Sequence, residues 1–418
     1  MVSNRDEGKK EPSVDEEKGK GAEAILKDIR VLDLSRFLAG PLCSMLLADM
    51  GAEVIRVEPP GGAVDRRYAL VGPDGETLTF KILGRNKKSI TLHLSNEKGR
   101  LIFQELVRHS DVVLHNFSPG TRMADEVSYE KLDEIHHGII VAAISGYGLI
   151  GPDAQQVCFD FVTQARSGAM TLDGFPGDPP LKTAVPYVDC SSGMATAMGI
   201  LLALYHKEKT GKGQLVDVSL FDIASFITQN LGVLLNYKVF GKILKQVGNF
   251  GTASYISCLK AKDGWVMVVT SSDDIWKKFI RAIDKEKEFG TDPKFGSDML
   301  RCFYTDLIDP IIQEWAGKRT SDEIVNTLQD ARVPCGKVNT VEKLLSDPQL
   351  MAREMIMNVE YPNVGELPIP GIPIKLSLTP GRINTLSPKV GEHNKEVYYK
   401  VLGYSPDKLA QLVREGVI

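Results

Sequence analysis

The stretch Ile29-Arg30-Val31-Leu32-Asp33-Leu34-Ser35-Arg36-Phe37-Leu38-Ala39-Gly40-Pro41-Leu42-Cys43-Ser44-Met45-Leu46-Leu47-Ala48-Asp49-Met50-Gly51-Ala52-Glu53-Val54-Ile55-Arg56-Val57 changes its character twice. Residues 29–34 form a short apolar run of strand length. Gly40 to Met50 reads as a helix, Gly51 closes it, and Glu53 to Val57 is the next strand. The alternation continues outward. Ser89 to Leu94 reads as a strand, Asn96 to His109 as an amphipathic helix, and Asp111 to Leu114 and Ile139 to Ile144 as strands. A long helix from about Ser192 to Lys209 follows, then the turn Thr210-Gly211-Lys212-Gly213 and the strand Gln214 to Leu220. Strands and helices alternating at this spacing predict βαβ units, and so an α/β fold with a parallel sheet covered by helices.

Beyond roughly residue 225 the pattern changes. Strand-like Trp265 to Thr270 and helix-like Trp276 to Ile283 and Ser321 to Asp330 suggest a smaller α+β domain. Tyr361 to Pro373, rich in Pro and Gly, reads as an extended connection, and the chain finishes with a helix. At 418 residues two domains are the natural expectation. The first two dozen residues mix both charge signs without an apolar run, which predicts a flexible charged leader over residues 1–26. The longest apolar candidate for a membrane span, Met194 to Tyr205, is too short and ends in His206-Lys207-Glu208-Lys209, so no membrane partner is expected. The net charge of −4 argues against nucleic acid as a partner. Cys43, Cys158, Cys190, Cys258, Cys302 and Cys335 show no CxxC or zinc spacing and suit a reducing cytoplasm. His136-His137 lacks metal-type spacing, and no metal site is expected.

The first strand is followed by a single glycine instead of GxGxxG, and no Walker loop, GxSxG elbow or HExxH motif is present. Several local segments carry physical content. In Pro186-Tyr187-Val188-Asp189-Cys190-Ser191-Ser192-Gly193 an acid precedes a long apolar helix. Asp189 reads equally as an N-cap and as a carboxylate held ionised by the helix dipole, ready to attack a thioester carbonyl. Leu114-His115-Asn116-Phe117-Ser118-Pro119-Gly120 reads as a plain turn or as a ligand loop at the carboxyl edge of the sheet. Gly84-Arg85-Asn86-Lys87-Lys88-Ser89 reads as a solvated basic face or as a phosphate contact.

Together these segments resemble the family III CoA-transferases, which include the formyl-CoA:oxalate and carnitine CoA-transferases and have the α-methylacyl-CoA racemases as relatives. The matching stretches run from VLDLSRFLAGPLCSMLLADMGAEVIRVEPPGG through GRNKKSITLHL, DVVLHNFSPG, ISGYGLIGP, FDFVTQARSG, PPLKTAVPYVDCSSGM and KTGKGQLVDVSLFD to RVPCGKVNTVEKLLSDPQL and LGYSPDKLAQLVREGVI. The resemblance implies a Rossmann-like large domain with a parallel sheet plus a smaller α+β domain, in an interlocked dimer. Its expected divisions are 27–224 for the first part of the large domain, 225–340 for the small domain with linkers, and 341–418 for the return. It also implies a transferase (EC 2.8.3.-) that moves CoA from an acyl-CoA donor, with succinyl-CoA a reasonable choice, to a carboxylic acid. CoA is substrate there, and no cofactor is needed.

By the same resemblance Asp189 is the nucleophile, which carries CoA as an aspartyl thioester. CoA contacts fall on Leu38-Ala39, on Leu92-His93-Leu94-Ser95 and on Asn116-Phe117-Ser118, with Arg36 and Lys88 as phosphate or pantetheine neighbours and Phe159 lining the site. Two departures stand out. The arginine that the family often carries after NFxPG is replaced by Ala124, with Arg122 out of register, and the glycine-rich lid of formyl-CoA transferase has no counterpart around Gly248 to Tyr255. The racemases place His before Asp where this chain has Phe159-Asp160, and phenylalanine accepts no proton. The competing readings are a non-catalytic subunit of a heteromeric transferase, with a homologous chain as partner, and an acyl-CoA racemase or epimerase.

Overall fold

The computed structural model describes residues 23–418, and the expected leader lies, as far as residue 22, outside the described residues. Two compact units share the chain. The first takes the chain up to Cys158, Val188–Asp222 and Arg353–Ile418, and the second takes Phe159–Tyr187 and Ile223–Ala352. The stretch Phe159–Tyr187 therefore goes with the second unit, and the return to the first begins at Arg353 where the sequence suggested residue 341.

In the first unit β1 (Arg30–Asp33), β2 (Glu53–Glu58), β3 (Lys87–Thr91), β4 (Val112–His115), β5 (Ile140–Ser145) and β6 (Leu215–Ser219) form one parallel sheet in the order β3-β2-β1-β4-β5-β6. Every residue of β4 and β5 is buried, as parallel strands covered on both faces must be. Helix α1 (Ala39–Asp49) links β1 to β2, and the Glu97–Arg108 helix links β3 to β4. The latter starts at Asn96, whose side chain accepts the Lys98 N–H, and buries Ile102, Phe103, Leu106 and Val107. Those side chains pack on Leu32, Ile55, Ile90 and Val113 of the sheet and on Leu409 and Leu412 of the C-terminal Pro406–Arg414 helix. Each such side chain contributes about 1.5–3 kcal/mol on burial.

Two cations of the basic run, Arg85 and Lys87, are neither a solvated face nor open to a ligand. Arg85 is fully buried on Asp49 at 2.6 Å, and Lys87, also buried, meets Asp33 at 3.1 Å. Asp33 closes β1 in a polar knot. One carboxylate oxygen accepts from the Ser35 N–H (2.9 Å) and hydroxyl, and the other from the Ser44 hydroxyl (2.6 Å). Lys87 also donates to the Pro41 carbonyl and the Ser44 hydroxyl, so β3, β1 and α1 meet there. Burial would raise the Asp33 carboxyl, but Lys87, Arg56 and the two serines hold it well below the usual carboxylate range.

The Tyr187–Thr210 helix has 24 residues and by length and composition alone could cross a membrane, more than the run Met194 to Tyr205 suggested. One face of it, with Val188, Ser192, Ile200 and Ala203, is buried in the first unit. A Cβ on Gly193 would come within 2.6 Å of the Ala39 carbonyl oxygen, so the start of this helix packs backbone to backbone on the start of α1. The stretch Tyr361 to Pro373, read as an extended connection, supplies the turn and second strand of a hairpin, β10 (Ile356–Tyr361) with β11 (Gly365–Pro370), preceded in the second unit by β7 (Tyr255–Lys260), β8 (Trp265–Thr270) and β9 (Cys335–Lys337). The second unit buries Trp276, Phe279, Phe289, Ile308, Ile312 and Leu328 against that antiparallel three-stranded sheet.

Lys87→Met leaves the Asp33 carboxylate without its cation in a dry site. The expected loss is about 3–5 kcal/mol, read as a lowered urea midpoint with an unchanged slope.

Candidate active site

The strand order reverses between β1 and β4. Their crossovers leave in opposite directions, and at such a reversal the crevice outside the carboxyl ends is where open α/β sheets bind ligands. The loop after β1 and the loop after β4 flank this point and are stapled together. The Asn116 side-chain oxygen accepts the Arg36 N–H (2.9 Å), and its amide donates to the Arg36 carbonyl (2.9 Å). Just below, the Leu34 N–H reaches the Leu114 carbonyl at 2.8 Å. Sequence-predicted Arg36, Leu38, Ala39, Asn116, Phe117 and Ser118 are thereby gathered at one edge.

Backbone geometry dominates this edge. Phe37 is held at φ +70°, a left-handed conformation that costs a bulky residue about 1–3 kcal/mol. Its N–H donates to Asp65 (3.1 Å), itself gripped by the buried Arg56 at 2.6 Å, and its ring meets Tyr68 edge-on. Gly40 is required where it stands, because a Cβ there would lie 2.2 Å from the Ser35 Cβ. The start of α1 carries no side-chain cap, so the first N–H groups of the helix are left for other partners.

The arginine and lysine assigned to ligand phosphates behave differently. Arg36 turns its guanidinium to the Leu34, Ser35 and Val57 carbonyls, and burial, with Arg56 nearby, lowers it to about 10. It organises the loop. Lys88 pairs with Glu53 (2.6 Å) and Glu396 (3.1 Å); Glu53 is the first residue of β2, so this ammonium leads to the amino end of the sheet, away from the crevice. The phosphate role expected for Lys88 is withdrawn on that ground.

Asp189 is half-buried in the first turn of the Tyr187–Thr210 helix. The helix begins two residues before it, so Asp189 lies within the helix and the N-cap alternative is corrected. It stands one turn before Gly193, the residue pressed on Ala39, which puts its end of the helix beside the Leu38-Ala39 segment. Leu92, buried, and exposed His93 follow β3 at the same carboxyl edge, with the His93 N–H on the Val417 carbonyl at 2.8 Å. Leu94 is half-buried, Ser95 is exposed, and the Ser95 carbonyl accepts from Arg100. Arg122 is 62% exposed and faces Glu126 at 4.0 Å. Phe159 belongs to the second unit, 63% exposed at the start of the Asp160–Arg166 helix, where buried Asp160 accepts from Gln164.

Sequence reasoning did not single out Asp33, Arg56, Asp65 or the role of His115. A polar residue ending an apolar strand, as Asp33 does, was the available signal. His115 closes β4 fully buried, stacked on Phe117 at 5.6 Å, with Nδ1 unbonded. Burial lowers its imidazole to about 4. Among the described residues no group of three or more His, Cys, Asp or Glu could hold a metal ion.

Residues 26–394 match CoA-transferase family III. The chain is 34% identical over 396 residues to a succinyl-CoA–D-citramalate CoA-transferase of Chloroflexus aurantiacus, covering 94% of this chain and 98% of that one. It is 33% identical over 409 residues to the alpha subunit of a succinyl-CoA–L-malate CoA-transferase from Chloroflexus aurantiacus, covering 96% and 94%. Among solved structures it resembles a CAIB/BAIF family protein from Brucella suis, with a TM-score of 0.79, 30% identity, and coverage of 90% and 99%.

The lowered His115 makes stability depend on pH with a definite sign. As pH falls from about 6.5, the unfolded histidine takes up a proton that the folded one refuses until about 4, so folding weakens across that window. The histidine accounts for about 2 kcal/mol of lost stability between pH 7 and pH 5. Urea titrations at the two pH values should show His115→Leu losing less than the parent by about that amount.

Proposed function

The chain belongs to CoA-transferase family III, and from that premise we propose that Asp189 carries CoA between two carboxylic acids. Its carboxylate attacks the carbonyl of a donor acyl-CoA, the carbon–sulfur bond breaks, and CoA leaves as a thiolate from a mixed anhydride. The thiolate attacks the Asp189 carbonyl carbon and expels the donor acid, leaving an aspartyl–CoA thioester. The acceptor carboxylate repeats the exchange in reverse and departs as its CoA thioester. Each step trades one activated acyl bond for another of similar energy, so no further energy source is needed, and water must be kept from the intermediates because hydrolysis would waste the activation.

The observation that carries this reading is the position of Asp189 in the first turn of a helix whose start packs on the Leu38-Ala39 segment of the crevice. The N-terminal dipole favours an ionised carboxylate there. Succinyl-CoA as donor and a dicarboxylic acid as acceptor are the pair to try first, because both Chloroflexus relatives are named for succinyl-CoA and a dicarboxylate.

The same reading includes a second subunit, a copy of this chain in an interlocked dimer or a homologous chain in a heteromer. On the Tyr187–Thr210 helix Met194, Met198, Leu202 and Tyr205 form an exposed stripe with more than half of each residue uncovered, and the Val233–Phe240 helix of the second unit buries none of its residues. The alpha-subunit relative keeps the heteromer in play. The reading is of an enzyme of the cytoplasm, supported by six scattered cysteines without CxxC spacing.

Incubation with succinyl-CoA and other acyl-CoAs, followed by hydroxylamine, should leave a hydroxamate on Asp189 detectable by peptide mass spectrometry. Asp189→Ala should lose transfer altogether while melting as the parent does. An active Asp189→Ala protein ends the assignment. Sedimentation of the purified chain should give twice 45.9 kDa for the homodimer. A chain inactive alone that gains activity with a homologous subunit identifies the heteromer.

A further inference from the structure

Among the described residues, buried hydroxyls on the helices share one habit, that of finding an acceptor, as Ser44 does on Asp33 and Ser321 on Asp263. Thr196 donates to the Ser192 carbonyl (2.7 Å), Thr228 to Ala224 (2.8 Å) and Thr163 to Asp160 (2.6 Å). Ser192 breaks it. Its side chain is fully buried, and its Oγ has no hydrogen-bond partner, although the carbonyl four residues back belongs to the same helix.

Its place makes the exception informative. Residues three and four apart are neighbours on a helix, so Ser192 and Gly193 are the two residues one turn after Asp189. Helical side chains lean towards the N-terminus, which aims the Ser192 hydroxyl at the turn that holds Asp189. Gly193 is already fixed against Ala39, so the turn cannot roll to bring Ser192 to water. A donor left unpaired in the resting protein is stabilising only when an acceptor arrives.

We propose that this acceptor is the carbonyl oxygen of acylated Asp189, and that Ser192 is its oxyanion donor; the proposal rests on Asp189 being the carrier. When the CoA thiolate attacks the aspartyl anhydride, a carbon–sulfur bond forms and the carbonyl π electrons move to oxygen. The Ser192 O–H donates to that oxygen. Collapse restores the carbonyl, breaks the bond to the donor acid and releases it as carboxylate, and the Ser192 proton stays on Ser192 throughout. The same donor serves the second half of the cycle, because the tetrahedral centre is again the Asp189 carbon.

Ser192→Ala separates this role from a structural one. Removing an unpaired buried hydroxyl should leave the melting temperature unchanged or raised. Rapid-quench trapping of the succinyl-CoA half-reaction with hydroxylamine should show intermediate formation slowed on the order of 100-fold, with KM for succinyl-CoA within about threefold of the parent. Trapping at the parent rate overturns the proposal and leaves Asp189 as carrier. A lowered melting temperature with a matching loss of active protein also overturns it, since the hydroxyl is then structural. A parent enzyme that turns over succinyl-CoA yet gives no hydroxamate at Asp189 removes the carrier reading itself, and this proposal with it.

Discussion

An ionised carboxylate sealed at the end of β1 sets the terms for everything around it. Asp33 is fully buried, so its charge persists only because Lys87, two serine hydroxyls and a backbone N–H close round it. These donors come from three parts of the first unit. Lys87 belongs to β3, Ser44 to α1 and Ser35 to the loop between β1 and α1. The knot therefore fixes how tightly the chain turns after β1, and Gly40 must be glycine for that turn to close on Ser35. Fixing the start of α1 in turn fixes the surface on which Gly193, and the helix bearing Asp189, come to rest.

This economy of charge has a consequence for what the crevice offers a ligand. Arg56 is committed to Asp65, Arg66 to Glu58 at 2.6 Å, and Lys87 to Asp33, while Arg36 spends its donors on backbone carbonyls. Those cations hold shape. What faces outward at the β1 loop is backbone, bent at Phe37 into a conformation that a non-glycine residue keeps only under restraint, together with the uncapped start of α1. Positive potential at this edge thus comes in good part from oriented peptide dipoles, which do not need to reorganise when an anion arrives.

Much of this was legible in the sequence, and the rest was hidden for identifiable reasons. The strand from Ile29 and the helix closed by Gly51 can be read because apolar period and helix stop agree over a short span. The segment around Asp189 could be marked as functional or capping, but not decided, since both readings use the same helix end. The pairing of Arg85 with Asp49 and of Lys87 with Asp33 spans 36 and 54 residues, and no local pattern announces such partners. The β10–β11 hairpin was missed because Pro368 and Pro370 argue against a strand. They lie two apart, on the same alternation of a two-stranded ribbon, where missing N–H groups can all point outward. The allegiance of Phe159–Tyr187 to the second unit is likewise a matter of tertiary packing, which composition does not encode.

Where the first unit gives up stability is as telling as where it gains it. Among the described residues its buried side-chain atoms without a hydrogen-bond partner are Arg56 Nε, which keeps Glu58 at 3.6 Å, His115 Nδ1 and Ser192 Oγ. Each costs about 1–3 kcal/mol that an apolar replacement of similar shape would recover. They are not scattered. Arg56 lies on β2 next to the loop it restrains, His115 closes β4 at the reversal of strand order, and Ser192 stands one turn from Asp189. The strained Phe37 belongs to the same region. A sheet built only to be stable has no reason to concentrate its losses at the carboxyl edge of its central strands. A sheet that must meet a charged, reacting ligand there does, because donors held dry and unpaired are worth most at the moment charge appears beside them.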